Sequence, residues 1–240
     1  MASNVKYVTD RTGRFARRPH YETRELDEEC EREIRNFMRD CCGGFALPIP
    51  TDALTKLIER DAEDLDLFAN LDTEGSDVEG VTDFFPGQRP HVRIRASLSE
   101  RSSENRLRTT LSHEWGHVHF HDCLWQVEAR SGTMYDQLGI QPCPKCKRDR
   151  IVNAPESDWM EWQAGYVCGS VLMPLSQVRA VVAGFSEERE LYTPLVDYSP
   201  PAVALIARMK RTFLVSEAAA RMRLTKLGFL SSSDHGPTLF

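Results

Sequence analysis

The chain has 240 residues, 41% of them hydrophobic and 28% charged, with a formal net charge of -6. That balance suits one large domain, or a domain with a small appendage, and argues against wholesale nucleic-acid binding. No apolar run approaches the ~18 residues needed to span a bilayer, and residues 1–24 carry neither the apolar segment nor the cleavage site of an export signal.

Seven cysteines are an odd number, so reduced thiols or metal ligands are expected rather than a disulfide framework. The expectation is a cytoplasmic protein without membrane contact.

In chain order, residues 1–24 read as an irregular basic lead-in. From Glu25 to Cys42, Leu26, Cys30, Ile34, Phe37 and Met38 form a helical stripe that stops at Gly43-Gly44. A second helix opens after "LPIPTD", with Leu54, Leu57, Ile58 and Leu65 at helical spacing. The period then changes. "VEGVTDFF" (78–85) and "HVRIRASLS" (91–99) read as strands around the turn "PGQRP", with Val92, Ile94, Ala96 and Leu98 on one face of the second.

After "SERSSEN", with Ser102 or Ser103 as N-cap, a helix is expected to about residue 122. Residues 129–156 are rich in Gly, Pro and Lys and weakly periodic, the sign of a functional or metal-braced segment. Helices follow over 157–174 and 175–184, then an irregular stretch. Two more helices complete the chain, the second capped by Ser216. Helices outnumber strands, and the strands come first, which predicts an α+β fold.

The densest chemistry lies in "RTTLSHEWGHVHFHDC" (108–123), which holds four of the seven histidines. His113 and His117 are four apart, so a helix projects both imidazoles from one face, where they can share an ion. Glu114 is aimed aside, too displaced for a ligand but placed to take a proton from an activated water. This is the H-E-x-x-H arrangement of zinc peptidases.

The spacing that would supply a third His in metzincins falls on Phe120 and Cys123, which excludes that subclass. A carboxylate from a later helix is needed instead. Glu161 fits, because Ala164, Gly165, Cys168 and Gly169 continue its helix face and let two backbones approach closely. Glu128, Glu156 and Asp158 lack that context.

These residues resemble the ImmA/IrrE-type metallopeptidases. The resemblance covers about residues 25–230, in "LPIPTDAL", "VEGVT", "NRLRTTLSHEWGHVHFH", "DWMEWQAGYVCGSVLMP" and "FLVSEAAARMRLTKLG". It implies a zincin-like minimal metallopeptidase core, a short antiparallel or mixed sheet plus helices, with His113, His117 and Glu161 on Zn2+ and Glu114 as the base. It also implies a protein substrate, a helix-turn-helix (Xre-type) transcriptional repressor, whose inactivation switches on mobile-element or stress genes. The large C-terminal sensor domain of some members has no counterpart here, and the Cys-containing insertion (123–156) is a second departure.

The resulting division is a lead-in (1–24), a metallopeptidase domain (25–184) and a helical, helix-turn-helix-like module with a tail (185–240). Cys143-Pro-Lys-Cys146, with His119, His121 and Cys123 upstream, has spacing that a second, structural zinc could use, His121, Cys123, Cys143 and Cys146 being the set singled out. The catalytic site could hold another divalent ion such as Mn2+.

Arg208, Lys210, Arg211, Arg221, Arg223 and Lys226 give the tail a basic surface, for which packing is preferred over direct DNA binding. The 91–99 strand is the expected edge for an extended peptide, and Tyr135, Tyr166 and His121 are the candidate oxyanion stabilisers. The rival functions are a non-proteolytic, metal-stabilised protein that sequesters a repressor or antitoxin or binds DNA, and the toxin half of a toxin-antitoxin pair.

Overall fold

The computed structural model describes residues 5–100, 103–131, 145–148 and 158–231. It is mixed α+β, with helices dominant and the sheets small. The first helix, α1 (Thr23–Cys42), starts at a capping box formed by Glu22 and Glu25 and ends at Gly43, whose φ of 75° is the left-handed conformation expected of a C-terminal glycine. Its stripe of Leu26, Cys30, Ile34, Phe37 and Met38 is buried as the periodicity requires. Helix α2 (Thr51–Asp61) follows, and its Ala53, Leu54, Leu57 and Ile58 join the same core.

Three strands then build the main sheet: β3 (Asp64–Ala69), β4 (Gly80–Asp83) and β5 (His91–Arg95), joined later by β6 (Lys145–Arg148). The order is β3-β5-β4-β6, with β3 parallel to β5 and the other pairs antiparallel. Leu65 therefore belongs to a strand and not to α2. Residues 96–99 turn into a 3-10 segment, leaving Ala96 exposed while Leu98 turns back into the core.

The expected peptide-binding role of the 91–99 strand is also corrected. β5 is flanked on both sides, so its backbone donors and acceptors are already used within the sheet. The strand nearest the helix that carries His113 and His117 is β4, whose outer edge is covered by β6.

The lead-in is more ordered than its composition suggests. β1 (Lys6–Thr9) and β2 (Arg17–His20) pair as an antiparallel hairpin. Asp10 closes its turn by accepting from the Thr12 amide and hydroxyl and from the Phe15 amide. Phe15 then packs with Phe84, Leu124, Trp125, Trp159 and Met160 in a small core of its own.

The long helix α3 (Glu104–Ser131) crosses the middle of the molecule. Against it lie α4 (Trp159–Leu172), α5 (Leu175–Arg189), α6 (Pro200–Phe213) and α7 (Glu217–Lys226), with the short parallel pair β7 (Leu195–Val196) and β8 (Leu230–Ser231) behind. Ser216 caps α7 as expected, accepting from the Ala219 amide. Leu205, Ile206, Met209, Phe213 and Leu224 share one apolar cluster with α1, α2, α3 and α4, so the C-terminal helices are continuous with the main core.

Several of their cations are turned to internal use. Arg208 pairs with Glu188 at 2.6 Å, Arg221 pairs with Asp197, and Arg223 donates to Asp27 at 2.6 Å. Among the described residues no single helix is long and apolar enough to cross a membrane.

The Arg223–Asp27 pair is fully buried, and Asp27 also accepts from Tyr166 Oη at 2.8 Å and Ser170 Oγ at 2.7 Å. Removing one partner strands a charge in a low-dielectric core. Asp27→Ala is expected to cost about 3–5 kcal/mol in urea unfolding. Asp27→Ala/Arg223→Met should recover at least half of that loss; no recovery would mean that shape, not charge, sets the cost.

Candidate metal centre

α3 is buried on nearly every side between Thr110 and His121, so its polar side chains must satisfy one another. His113, Glu114 and His117 are each no more than 1% exposed. Glu161 sits in the first turn of α4, where the Asp158 side chain accepts from the Met160 and Glu161 amides. A carboxylate there is favoured by the partial positive charge of a helix N-terminus.

Two helices bring the ligand atoms together. His113 Nε2 is 3.1 Å from His117 Nε2 and 3.1 Å from Glu161 Oε2, and His117 Nε2 is 3.3 Å from Glu161 Oε1. Tetrahedral zinc with ligands near 2.0 Å has ligand atoms about 3.3 Å apart. The donor set, two imidazoles and one carboxylate, therefore fits a divalent ion in both chemistry and spacing. Burial opposes the charged form of Glu161, but the His117 and His113 rings outweigh it and hold the carboxyl well below its usual range. Its side chain is 18% exposed, which makes the α4 side the solvent-facing flank of the centre.

The reach of Glu161 depends on a glycine inside the histidine motif. A Cβ at Gly116 would lie 3.2 Å from Ala164 Cα and 3.1 Å from Val167 Cγ1. The small residues expected to permit close approach divide into two groups. Ala164 meets Gly116, and Cys168 Sγ lies 3.4 Å from the Thr109 carbonyl oxygen. Gly165 and Gly169 instead line an apolar cavity of about 180 Å³ shared with Met222 and Arg223 of α7.

Glu114 faces the sheet. Its Oε2 accepts from Thr82 Oγ1 at 2.6 Å. Gly80 lies so close that a Cβ would clash with Glu114 Oε1 and fall 2.8 Å from Thr110 Cγ2. Neither Gly80 nor Thr82 stood out in the sequence. An isolated glycine within a strand is the available signal, since it marks a close approach of another group.

The remaining histidines part company. His121 Nδ1 is 3.0 Å from His117 Nδ1, and its Nε2 is 3.1 Å from Gln163 Oε1. Burial first, and the neighbouring His117 ring second, push the His121 pKa well below its usual value. Both its nitrogens are engaged, by His117 and Gln163. Cys123, two residues on, is at the surface, where its Sγ lies 3.8 Å from the Phe120 carbonyl oxygen. Cys146 is on β6 opposite Thr82, and Cys143 lies outside the described residues.

His119 stacks on Trp115 (centroids 4.6 Å apart, 22° between planes) and meets Glu29 at 3.3 Å, so it serves helix packing. Of the oxyanion candidates, Tyr166 donates to Asp27, and burial with that carboxylate pushes its pKa up to about 12. His121 is turned into the core, and Tyr135 lies outside the described residues. No protein-family model and no curated protein matches this chain.

The purified protein is expected to take up a divalent ion at this centre, with uptake lost in His113→Ala, His117→Ala or Glu161→Ala. Gly116→Ala keeps all three ligands but spreads α3 from α4, and should weaken Co2+ affinity at least ~10-fold in a chelator competition, since packed helices yield little to an added methyl. Unchanged affinity would remove the helix approach as a determinant.

Proposed function

We propose that the chain is a zinc-dependent endopeptidase of the ImmA/IrrE type with a zincin-like core. Its substrate is a helix-turn-helix transcriptional repressor in the cytoplasm, whose cleavage switches on mobile-element or stress genes. The observation that carries the catalytic part is the buried constellation itself. Three convergent ligands come from two helices, and the residue next in sequence to His113 is a buried carboxylate, Glu114, that accepts from the Thr82 hydroxyl. The repressor substrate rests on the resemblance of the motifs quoted above.

His113, His117 and Glu161 would hold the ion. When bound, it supplies Lewis-acid polarisation of a carbonyl and lowers the pKa of water, and zinc or manganese can do both. Glu114 is the general base. With Oε2 held by the Thr82 hydroxyl, Oε1 takes the proton from the attacking water and then delivers it to the leaving amine nitrogen, so the carboxylate ends the cycle ionised. The surrounding burial keeps bulk water from competing for that proton. A buried, oriented carboxylate next to the ligands favours hydrolysis over metal-stabilised sequestration, for which it would have no use.

Glu114→Gln decides between those readings. The variant should keep its metal and hold a partner from host lysate, and wild type should cut that partner, a helix-turn-helix protein, at one site. A partner bound by both forms and cut by neither would establish sequestration.

Gly80→Ala tests the carboxylate's seating. The added methyl displaces the Glu114 side chain, and a displacement of about 1 Å costs ~10²-fold in rate. Cleavage of the captured partner should fall by that order with metal content unchanged; a rate within about twofold of wild type would dismiss the seat as a determinant.

A further inference from the structure

We propose that His121 and Gln163 are positioning residues that fix, through hydrogen bonds alone, which nitrogen His117 presents to the metal. The proposal rests on His113, His117 and Glu161 being a metal centre. It does not require that the centre hydrolyse peptides.

The argument starts at the far end. Gln163 Oε1 can only accept, so the 3.1 Å contact with His121 Nε2 requires a proton on that nitrogen. An imidazole with its proton on Nε2 carries a lone pair on Nδ1, which is the atom that His121 turns to His117. That lone pair lies 3.0 Å from His117 Nδ1, and two imidazole nitrogens this close need one proton between them. It must sit on His117, which donates. His117 Nε2 is thereby left with its lone pair, and it is this atom that faces His113 Nε2 and Glu161. Each tautomer is set by the next group outward, and the order runs in one direction from the ion to Gln163.

The fold holds this chain of donors rigidly. Gln163 and Glu161 belong to the same turn of α4, so one helix supplies both a ligand and the end of the relay. The His121 ring is packed edge-on to Trp159, with centroids 5.4 Å apart at 84°. Gln163 is 1% exposed and His121 fully buried, so water does not compete for either contact.

A neutral relay also suits the charge of the centre. A divalent ion is already balanced by Glu161 and Glu114, so the relay needs no charge of its own, and a carboxyl placed at its end would take up a proton and still accept through its carbonyl oxygen. Outer partners of this kind orient ligating histidines and raise their basicity.

The test uses Co2+ as probe on the full chain. Gln163→Met keeps volume and loses the acceptor, whereas Gln163→Glu keeps an acceptor. Co2+ affinity, read by chelator competition, should fall 10–100-fold in Gln163→Met, the usual range for losing such a partner, and stay far closer to wild type in Gln163→Glu.

Imidazole 15N–1H correlation spectra of the metal-loaded wild type should show the ring protons on Nδ1 of His117 and Nε2 of His121. Thermal unfolding of the metal-free forms provides the control, because a merely structural role would lower stability in Gln163→Met without changing metal affinity or tautomer. Equal Co2+ affinity in wild type and Gln163→Met, or a proton found on His121 Nδ1, would overturn the proposal and leave the metal centre standing. A wild type that takes up no Co2+ would overturn both.

Discussion

The approach of α3 to α4 at Gly116 and Ala164 is the constraint on which the rest of the centre depends. Glu161 has a short side chain and sits on a different helix from the histidines it joins. It reaches them only because one helix offers a hydrogen where any other residue would offer a methyl. The same approach buries the middle of α3, and burial in turn dictates what its polar residues must do. A histidine or glutamate there cannot be left to solvent, so each is met by another helix or by the sheet. His113 and His117 meet Glu161, Glu114 meets Thr82, and His121 meets Gln163.

The sheet closes the opposite flank. β4 presses its Gly80 and Thr82 against Glu114, so one strand both limits the carboxylate's movement and orients it. β6, drawn from the Cys-containing insertion, pairs along the outer edge of β4. The backbone groups of β4 that an extended peptide would use are therefore satisfied within the chain. Under the peptidase reading, a substrate strand must add outside β6 or take its place. The N-terminal hairpin completes the enclosure at the other end, where Phe15 packs on Trp125 and Trp159 beside His121.

Legibility in the sequence followed the range of the interaction. The i, i+4 histidines, the α1 stripe and the Ser216 cap are local patterns, and the structure bears them out. Glu161 was readable because small residues advertised the helix face that carries it. β3 escapes notice because Leu65 continues the spacing of α2 by coincidence; the alternation of Asp64, Leu65, Asp66 and Leu67 is short, and the strand is half exposed. The β1–β2 hairpin is basic and largely solvent-facing, which hides it in the same way. Gln163 carries no local mark at all. Its partner is 42 residues away, and only the register of two packed helices makes them neighbours.

That register is itself fixed by buried charge rather than by apolar packing alone. Asp27 of α1 accepts from Tyr166 and Ser170 of α4 and from Arg223 of α7, so it ties the axial position of α4 to two other helices. Arg108 does the same for α3, donating to the Ile49 carbonyl before α2 and to the Phe213 and Leu214 carbonyls at the end of α6.

Apolar ridges tolerate small slides between helices, whereas a buried ion pair or a guanidinium held by three carbonyls does not, because each slide strands a polar group. Such groups are weak evidence for net stability. Here their effect is to fix where Glu161 and Gln163 sit relative to His117 and His121. The C-terminal helices, whose cations invite a DNA-binding interpretation, thus contribute most visibly as the frame that keeps α3 and α4 in register.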